Sequence, residues 1–340
     1  MKEIPSKIHI SILAQFSFPR KGIGYQSAQN RLRIDDLDKE KLGIMFVCNL
    51  CPRMCGAKRG GEAPGQGKGV CRMGELPVVA RAALHFDEEP CISGSRGSGA
   101  VFFSGCTLKC IYCQNEQISR GCFGKPLTVD ELRAAFERLV EEEAHNINLV
   151  TATHFTHAVL AALEKPIGVP VVWNTSGYER VETLQMLEGK VQVYLPDLKY
   201  VDPEGASLFS RASTYPVMAE KALLEMYRQV GENQFDEEGV MTRGMLIRHL
   251  ILPGRVQQSK DALSWIHDHL PEGPWVSLMA QYTPCGQAKN MPALNRPITQ
   301  EEYDEVVDHL FNLGMEDGYV QELTSADTSF IPPFDLTGVQ

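Results

Sequence analysis

Phe102-Phe103-Ser104-Gly105-Cys106-Thr107-Leu108-Lys109-Cys110-Ile111-Tyr112-Cys113-Gln114-Asn115 decides how this chain is read. A short apolar run leads into a loop with three cysteines at C-x3-C-x2-C, and the loop closes on an asparagine of the kind that caps helices. Three thiolates leave a four-iron cluster one protein ligand short. An open metal position is where chemistry occurs, whereas a site closed by four thiolates is structural or carries electrons. The bland readings are three cysteines close together by chance or a zinc knuckle lacking a nearby fourth ligand.

Outward from this loop the chain alternates. Ala100 to Phe103 reads as a first strand. Behind the capping box Thr128-Val129-Asp130-Glu131, Leu132, Ala135, Phe136, Leu139 and Val140 recur at helical spacing. Ile147 to Val150, Val169 to Trp173, Val191 to Leu195, Met245 to Leu252 and Val276 to Met279 are further short apolar runs. Helical stretches separate them: Phe155 to Leu163, Glu179 to Leu187, Val217 to Val230, and a segment capped by Ser259 that reaches Leu270. A last capping box, Thr299-Gln300-Glu301-Glu302, opens a helix to Leu313. Apolar strands alternating with helices imply a parallel sheet buried on both faces. Six such units predict an α/β fold, a partial (β/α)6 TIM-like barrel over residues 98–290, with a C-terminal helix and tail over 291–340.

In parallel barrels the reactive groups collect where strands end. The second strand ends in Thr151-Ala152-Thr153-His154, the third in Asn174-Thr175-Ser176-Gly177, and the fourth in Pro196-Asp197-Leu198-Lys199. Pro196 cannot donate to the ladder, so regular pairing should stop there and leave Asp197 and Lys199 at the mouth, on one side. Arg248 and His249 alternate on the fifth strand, so at most one faces the interior. Arg248 is the better candidate, because a guanidinium suits a ligand carboxylate. Each residue has a bland counterpart: Asp197 and Lys199 as a surface ion pair, Thr153, Asn174 and Asn115 as helix caps, His154 as a hydrogen-bonded barrel histidine.

Upstream, Cys48, Cys51, Cys55 and Cys71 stand at C-x2-C-x3-C-x15-C. Four soft ligands can surround one metal centre, either zinc or a second iron–sulfur cluster. The glycine-rich loop between Cys55 and Cys71 can fold back, because glycine tolerates left-handed backbone angles. Cys91, beside the acidic turn Asp87-Glu88-Glu89-Pro90, is a spare thiol able to replace one of the four. A small Cys-rich metal-binding segment with its linker therefore covers 48–97, after a weakly patterned extension over 1–47. Gly94 to Gly99 reads as a flexible hinge by composition.

A chain of 340 residues has room for one large barrel and such an appendage. Its net charge of −10, with no Lys/Arg block, leaves no footprint for nucleic acid. The apolar piece Ile8 to Ala14 is broken by His9 and Ser11 and lacks a cleavage site. No run approaches the roughly 18 apolar residues of a membrane helix. Clustered cysteines without a secretion signal suit a cytoplasmic metalloprotein.

From about residue 98 to 290 the chain resembles the pyruvate formate-lyase activating enzyme branch of the radical S-adenosylmethionine (radical SAM) superfamily. It resembles most the relatives that carry an extra four-cysteine N-terminal segment. The residues that carry the likeness are Phe-Phe-x-Gly-Cys-x3-Cys-x2-Cys-Gln-Asn, Asn174-Thr175-Ser176-Gly177, Asp197-Leu198-Lys199, and Arg248-His249 followed by Pro253-Gly254. The resemblance implies a [4Fe–4S] cluster on Cys106, Cys110 and Cys113, whose open iron is chelated by the amino and carboxylate groups of SAM. It also implies SAM contacts from Asp197 and Lys199, with Thr153, Asn174 and Arg248 as further cofactor-binding candidates. The family often places Gly-Gly-Glu-Pro at the second strand's end. Here Thr151 to His154 stands in its place, and the acidic partner is missing.

The implied reaction starts with an electron from a low-potential donor, ferredoxin or flavodoxin. SAM then splits into methionine and a 5′-deoxyadenosyl radical, which takes hydrogen from a small molecule or a protein side chain. The alternative is an activating enzyme that installs a glycyl radical on a partner enzyme. A third reading is a non-catalytic iron–sulfur redox or metal-sensing protein, which leaves the polar strand ends unexplained. Activases of this branch are often shorter or carry ferredoxin-like inserts, and the single Cys48–Cys71 set matches neither pattern.

Overall fold

The computed structural model describes residues 46–270, 274–325 and 331–339. All but the last two residues of the expected extension over 1–47 fall outside them. From Phe46 onward the chain is one compact unit. It opens with β1 (Phe46–Cys48) and β2 (Ala57–Arg59), an antiparallel pair forming a sheet of its own. β3 (Val78–His85), the short α1 (Pro90–Ser93), β4 (Ser98–Phe103), α2 (Glu116–Ser119) and β5 (Lys125–Pro126) follow. Then come α3 (Val129–Glu141), β6 (Ile147–Val150), α4 (Thr156–Ala162), β7 (Val171–Thr175), α5 (Val181–Met186) and β8 (Val193–Pro196). After α6 (Pro203–Ser210) and α7 (Tyr215–Val230) the chain continues through β9 (Gln234–Phe235), β10 (Met241–Leu250), α8 (Val256–His269) and β11 (Trp275–Met279). It ends with α9 (Gln300–Asn312) and β12 (Gly318–Val320).

The main sheet runs in the order β12-β11-β10-β8-β7-β6-β4-β3-β5, with β9 on the side of β10. From β4 to β12 every neighbouring pair is parallel, whereas β3 joins β4 and β5 antiparallel. The six strands read from sequence are β4, β6, β7, β8, β10 and β11, and they lie side by side in chain order. That is the arrangement of a partial β/α barrel. It stays open, because β12 and β5 do not pair with each other among the described residues. β3 and β12 enlarge it beyond the expected six units. β3 fell in a stretch read only as linker, and β12 in one read as tail.

Side chains alternate across each strand. Trp173, Tyr194 and Ile247 pack into the main core, and all are fully buried. Removing each such side chain from water contributes about 1.5–3 kcal/mol. On the opposite face, Val172, Val193, Leu195 and Leu246 pack with Cys91 and Ile92 of α1. The segment after β3 is therefore built into the inner face of the sheet and is not a hinge. Ser98 and Gly99, expected in that hinge, are buried residues of β4. Thr128 and Thr299 form the capping boxes read for them. Ser259 lies inside α8 and does not cap it: its hydroxyl meets His249 Nε2 at 2.9 Å. No helix of the described residues is long and apolar enough to cross a membrane.

Candidate active site

β4 is buried along its whole length and delivers the cysteine loop at its C-terminal end. Gly105 opens the loop at φ 79°, and a Cβ there would sit 2.7 Å from Met73 Cγ and 2.8 Å from the Cys71 carbonyl oxygen. Only glycine fits. Arg53, from the Cys-rich segment, fixes the loop through its backbone: Nε donates to Thr107 O (2.8 Å) and Nη2 to Leu108 O (3.1 Å). Arg53 Nη2 also donates to Ser210 O (2.9 Å), and Arg120 binds the Lys109 carbonyl. The cysteine side chains are left out of this clamp.

Each of the three sulfurs accepts a hydrogen bond. The Leu108 N–H donates to Cys106 Sγ (3.4 Å), the Ser210 hydroxyl to Cys110 Sγ (3.2 Å), and the Ser119 hydroxyl to Cys113 Sγ (3.3 Å). Burial, and after it the charges of Cys110 and Cys106, push the Cys113 thiol up to about 12. Cys106 is raised by burial and then by Cys110. Cys106 and Cys113 therefore share a poorly solvated space that would keep these two thiols protonated on their own. A bound cationic centre reverses that preference and draws off the protons. Soft donors, preset hydrogen bonds to sulfur and exclusion of water fit an iron–sulfur cluster.

Asp197 follows directly on Pro196, the last residue of β8. Its two carboxylate oxygens split between Arg248 Nε (3.0 Å) and Lys199 Nζ (2.8 Å). The side chains of Asp197 and Lys199 are each only 18% exposed, which excludes the surface-pair reading. Burial alone would raise Asp197, but Arg248 and Lys199 outweigh it and hold the carboxyl below its ordinary value. Burial would likewise lower Lys199, and Asp197 holds it above its ordinary value. Lys199 acts in turn on the charges of Cys106 and Cys110, so this ion pair and the cysteine loop belong to one site.

Arg248 faces the interior as expected, but its partners are the protein's own. Besides Asp197 it donates through Nη1 to Glu88 Oε2 (3.2 Å) and through Nη2 to Asn174 Oδ1 (2.6 Å). Asn174 passes the network on, its Nδ2 donating to Glu88 Oε1 (3.0 Å), which Asn148 Nδ2 also reaches (3.3 Å). Asn174 is thus a cross-link of this network and does not cap a helix. Glu88, Asn174 and Arg248 line a cavity of about 370 Å³ together with Glu89, Gln114, Asn115, Ser277 and Gln281. Asn115 stands at the cap position of α2 without a side-chain cap bond and faces the cavity.

Glu88 and Glu89 are the site residues that sequence reasoning missed. Their acidic turn drew notice only as the setting of Cys91, and no periodicity reports that it folds into the sheet's inner face. Burial pushes the Glu89 carboxyl up to about 7, with Arg248 opposing and Glu88 adding. One Glu89 oxygen, Oε2, is buried without a hydrogen-bond partner.

Three sequence-derived candidates point elsewhere. Thr153 Oγ1 donates to Glu179 Oε1 (2.5 Å), which Thr175 Oγ1 and Trp173 Nε1 also approach. An acidic residue therefore does stand beside the second strand's end, supplied by the segment before α5. Burial raises Glu179 to about 7, the three donors opposing. Thr153 is buried in this cluster and does not line the cavity. His154 is the hydrogen-bonded barrel histidine: Nε2 donates to Ser104 O (2.8 Å), and burial, reinforced by Arg59, lowers it to about 3. His249 is buried on the opposite side of its strand from Arg248, with Nδ1 donating to Leu198 O (2.6 Å).

Residues 100–266 match the sequence model of the radical SAM superfamily. A Methanocaldococcus jannaschii protein, "Uncharacterized protein MJ0674", is 29% identical over 278 residues, covering 78% of this chain and 74% of the relative. Among solved structures, Streptococcus suis SuiB bound to S-adenosylmethionine aligns with a TM-score of 0.44 at 12% identity, over 65% of this chain and 49% of that one. The structure described as native anSMEcpe with bound AdoMet and Cp18Cys peptide aligns with a TM-score of 0.40 at 13% identity, over 64% of this chain and 60% of that one. The stretch that matches the radical SAM superfamily begins in β4 and contains the cysteine loop, Asp197, Lys199 and Arg248.

Proposed function

We propose that this chain is a radical SAM enzyme that reductively cleaves SAM at a [4Fe–4S] cluster and takes hydrogen from a small polar substrate. The observation that carries the reading is the loop after β4. It holds three hydrogen-bonded thiols, and its last residues, Gln114 and Asn115, line a cavity with Glu88, Glu89, Asn174 and Arg248. Cys106, Cys110 and Cys113 would hold the cluster. The bound cluster and SAM supply one-electron cleavage of a carbon–sulfur bond.

The chain's own residues supply the setting. Arg53 and Arg120 fix the loop so that its thiols need no rearrangement. The buried Asp197–Lys199 pair places one acceptor and one donor beside the thiols for a zwitterionic amino-acid moiety. Glu89 Oε2 is an acceptor awaiting a donor on the bound ligand. A cavity of about 370 Å³ with charged walls suits a small polar molecule better than the glycine loop of a partner enzyme, which the activase alternative requires.

The test is anaerobic reconstitution followed by incubation with SAM and a ferredoxin or flavodoxin system. 5′-Deoxyadenosine and methionine are the expected products, and their absence from cluster-loaded protein would overturn the reading. A glycyl radical signal on an added partner enzyme would move the assignment to the activase.

Asp197→Asn tests the SAM pocket. Loss of one charge-assisted hydrogen bond costs about 1.5–3 kcal/mol, so SAM should bind roughly 10- to 150-fold more weakly. Equilibrium dialysis on protein with unchanged iron content checks it. An unaltered dissociation constant would confine Asp197 to the ion-pair network.

A further inference from the structure

Cys48, Cys51, Cys55 and Cys71 take no part in the site above, yet the fold gathers them. Cys48 ends β1, and Cys51 and Cys55 lie in the loop before β2. The glycine-rich loop then folds back: Glu75 N–H donates to Gly60 O (2.8 Å) and Gly67 N–H to Arg72 O (3.1 Å). That return brings Cys71 to Cys55. Their sulfurs lie 3.7 and 3.3 Å from the point a Cβ on Gly69 would occupy, a cradle that residue 69 leaves open.

Cys51 sits among the other three. Burial pushes its thiol up to about 12, and Cys48, Cys71 and Cys55 each add to the rise. Cys71 responds to Cys48 and Cys55 in the same way, after burial. Cys48, Cys51 and Cys71 are buried, and Cys55 is exposed. Arg59, itself 4% exposed, directs Nη1 at Cys48 Sγ (3.7 Å) and is held in place by the Gly74 and His154 carbonyls. Cys91 does not belong to this group: it packs on the inner face of the sheet and is hydrogen-bonded with Tyr319.

One zinc ion gathers its sulfurs to about 2.3 Å from a single point. Among the described residues no three Cys, His, Asp or Glu side chains converge closely enough for a single ion. Cys106, Cys110 and Cys113 do not form such a group either. Sulfurs that bind the corners of a four-iron cube need not converge, because the cube itself fills the space between them. Position decides between the two: the set adjoins the cysteine loop at Gly105, where a cluster closed by four thiolates can carry electrons and a zinc ion cannot.

We propose that Cys48, Cys51, Cys55 and Cys71 bind a second iron–sulfur cluster, closed by four thiolates, with Cys55 as its solvent-facing ligand. Arg59 places a buried cation against the cluster's Cys48 corner, where a hydrogen bond to sulfur tunes potential. With no open iron the centre cannot chelate SAM. Its place is beside the first site: the Cys71 carbonyl abuts Gly105, and Lys109 responds to both Cys71 and Cys106.

The test is independent of SAM chemistry. Full-length protein carrying Cys106→Ala, Cys110→Ala and Cys113→Ala together is reconstituted anaerobically and analysed for iron, sulfide and zinc and by Mössbauer spectroscopy. About four irons and four sulfides per chain, without zinc, are expected, against about eight irons in the unaltered protein. One zinc per chain, or a folded variant free of metal, would overturn the proposal. Should the triple variant fail to fold, Cys55→Ala in the otherwise unaltered chain replaces an exposed side chain and decides the matter. Its iron should fall from about eight to between about four and seven, with the first cluster's response to added SAM retained. Unchanged iron and an unchanged Mössbauer spectrum would remove Cys55 and its companions as ligands.

Discussion

Cys106→Ala, Cys110→Ala and Cys113→Ala should each abolish reductive SAM cleavage while leaving the fold intact. Each thiolate is a third of the protein's hold on the cluster, so no single loss can be shared out among the others. The loop should survive, because Arg53 and Arg120 grip its carbonyls and not its sulfurs. 5′-Deoxyadenosine formation is therefore expected to drop at least about 100-fold, beyond the 10- to 100-fold that loss of an outer partner brings. Ser210→Ala, which removes only the hydroxyl donating to Cys110 Sγ, supplies that milder comparison. Chromatography of the adenosine product, with melting curves as a control, checks both. Full product from any one cysteine variant would sink the cluster assignment.

The cysteine loop and the strands around it were legible because their signals are local. Spacing between thiols, apolar runs and capping boxes each lie within a few residues, and Thr128 with Glu131 and Thr299 with Glu302 pair as their spacing predicts. Asp197 and Lys199 were legible for the same reason, since a proline marks the strand end before them. What stayed hidden depends on contacts between distant segments. Glu88 meets Asn148, Asn174 and Arg248 only because the turn after β3 folds over the sheet's inner face, and a turn sequence carries no record of that. Glu179 read as the first residue of a helix, whereas it precedes α5 and turns back to Thr153. The N-terminal segment read as separable. Its Arg53 is in fact the clamp on the cluster loop, 54 residues away from Thr107.

Arg248 is where sequence and structure assign different work, and stability measurements separate them. A guanidinium kept for a ligand carboxylate could be replaced with little effect on the fold. Here Arg248 is the one cation joined to both Glu88 and Asp197, with side chains 9% and 18% exposed. Arg248→Met leaves Asp197 its partner Lys199, but strips Glu88 of its only cation among the described residues. Removing one member of a buried ion pair costs about 3–5 kcal/mol, or roughly 4–7 °C in melting temperature for a chain of this size. The sign of the pH dependence follows from Glu88. Burial already raises its carboxyl, and Arg248 is the largest influence holding it down, so the variant's carboxyl rises further. A carboxyl raised in the folded state contributes full stability below its unfolded value and loses it as pH rises through the folded one. The deficit of Arg248→Met should therefore narrow as pH falls toward about 4.5 and widen toward neutrality. Adding Glu88→Gln removes the stranded charge and should restore much of the loss at neutral pH, leaving a nearly pH-independent difference. Thermal melts of the single and double variants across that range check it. A fully stable Arg248→Met protein that binds SAM or substrate more weakly would return Arg248 to the ligand.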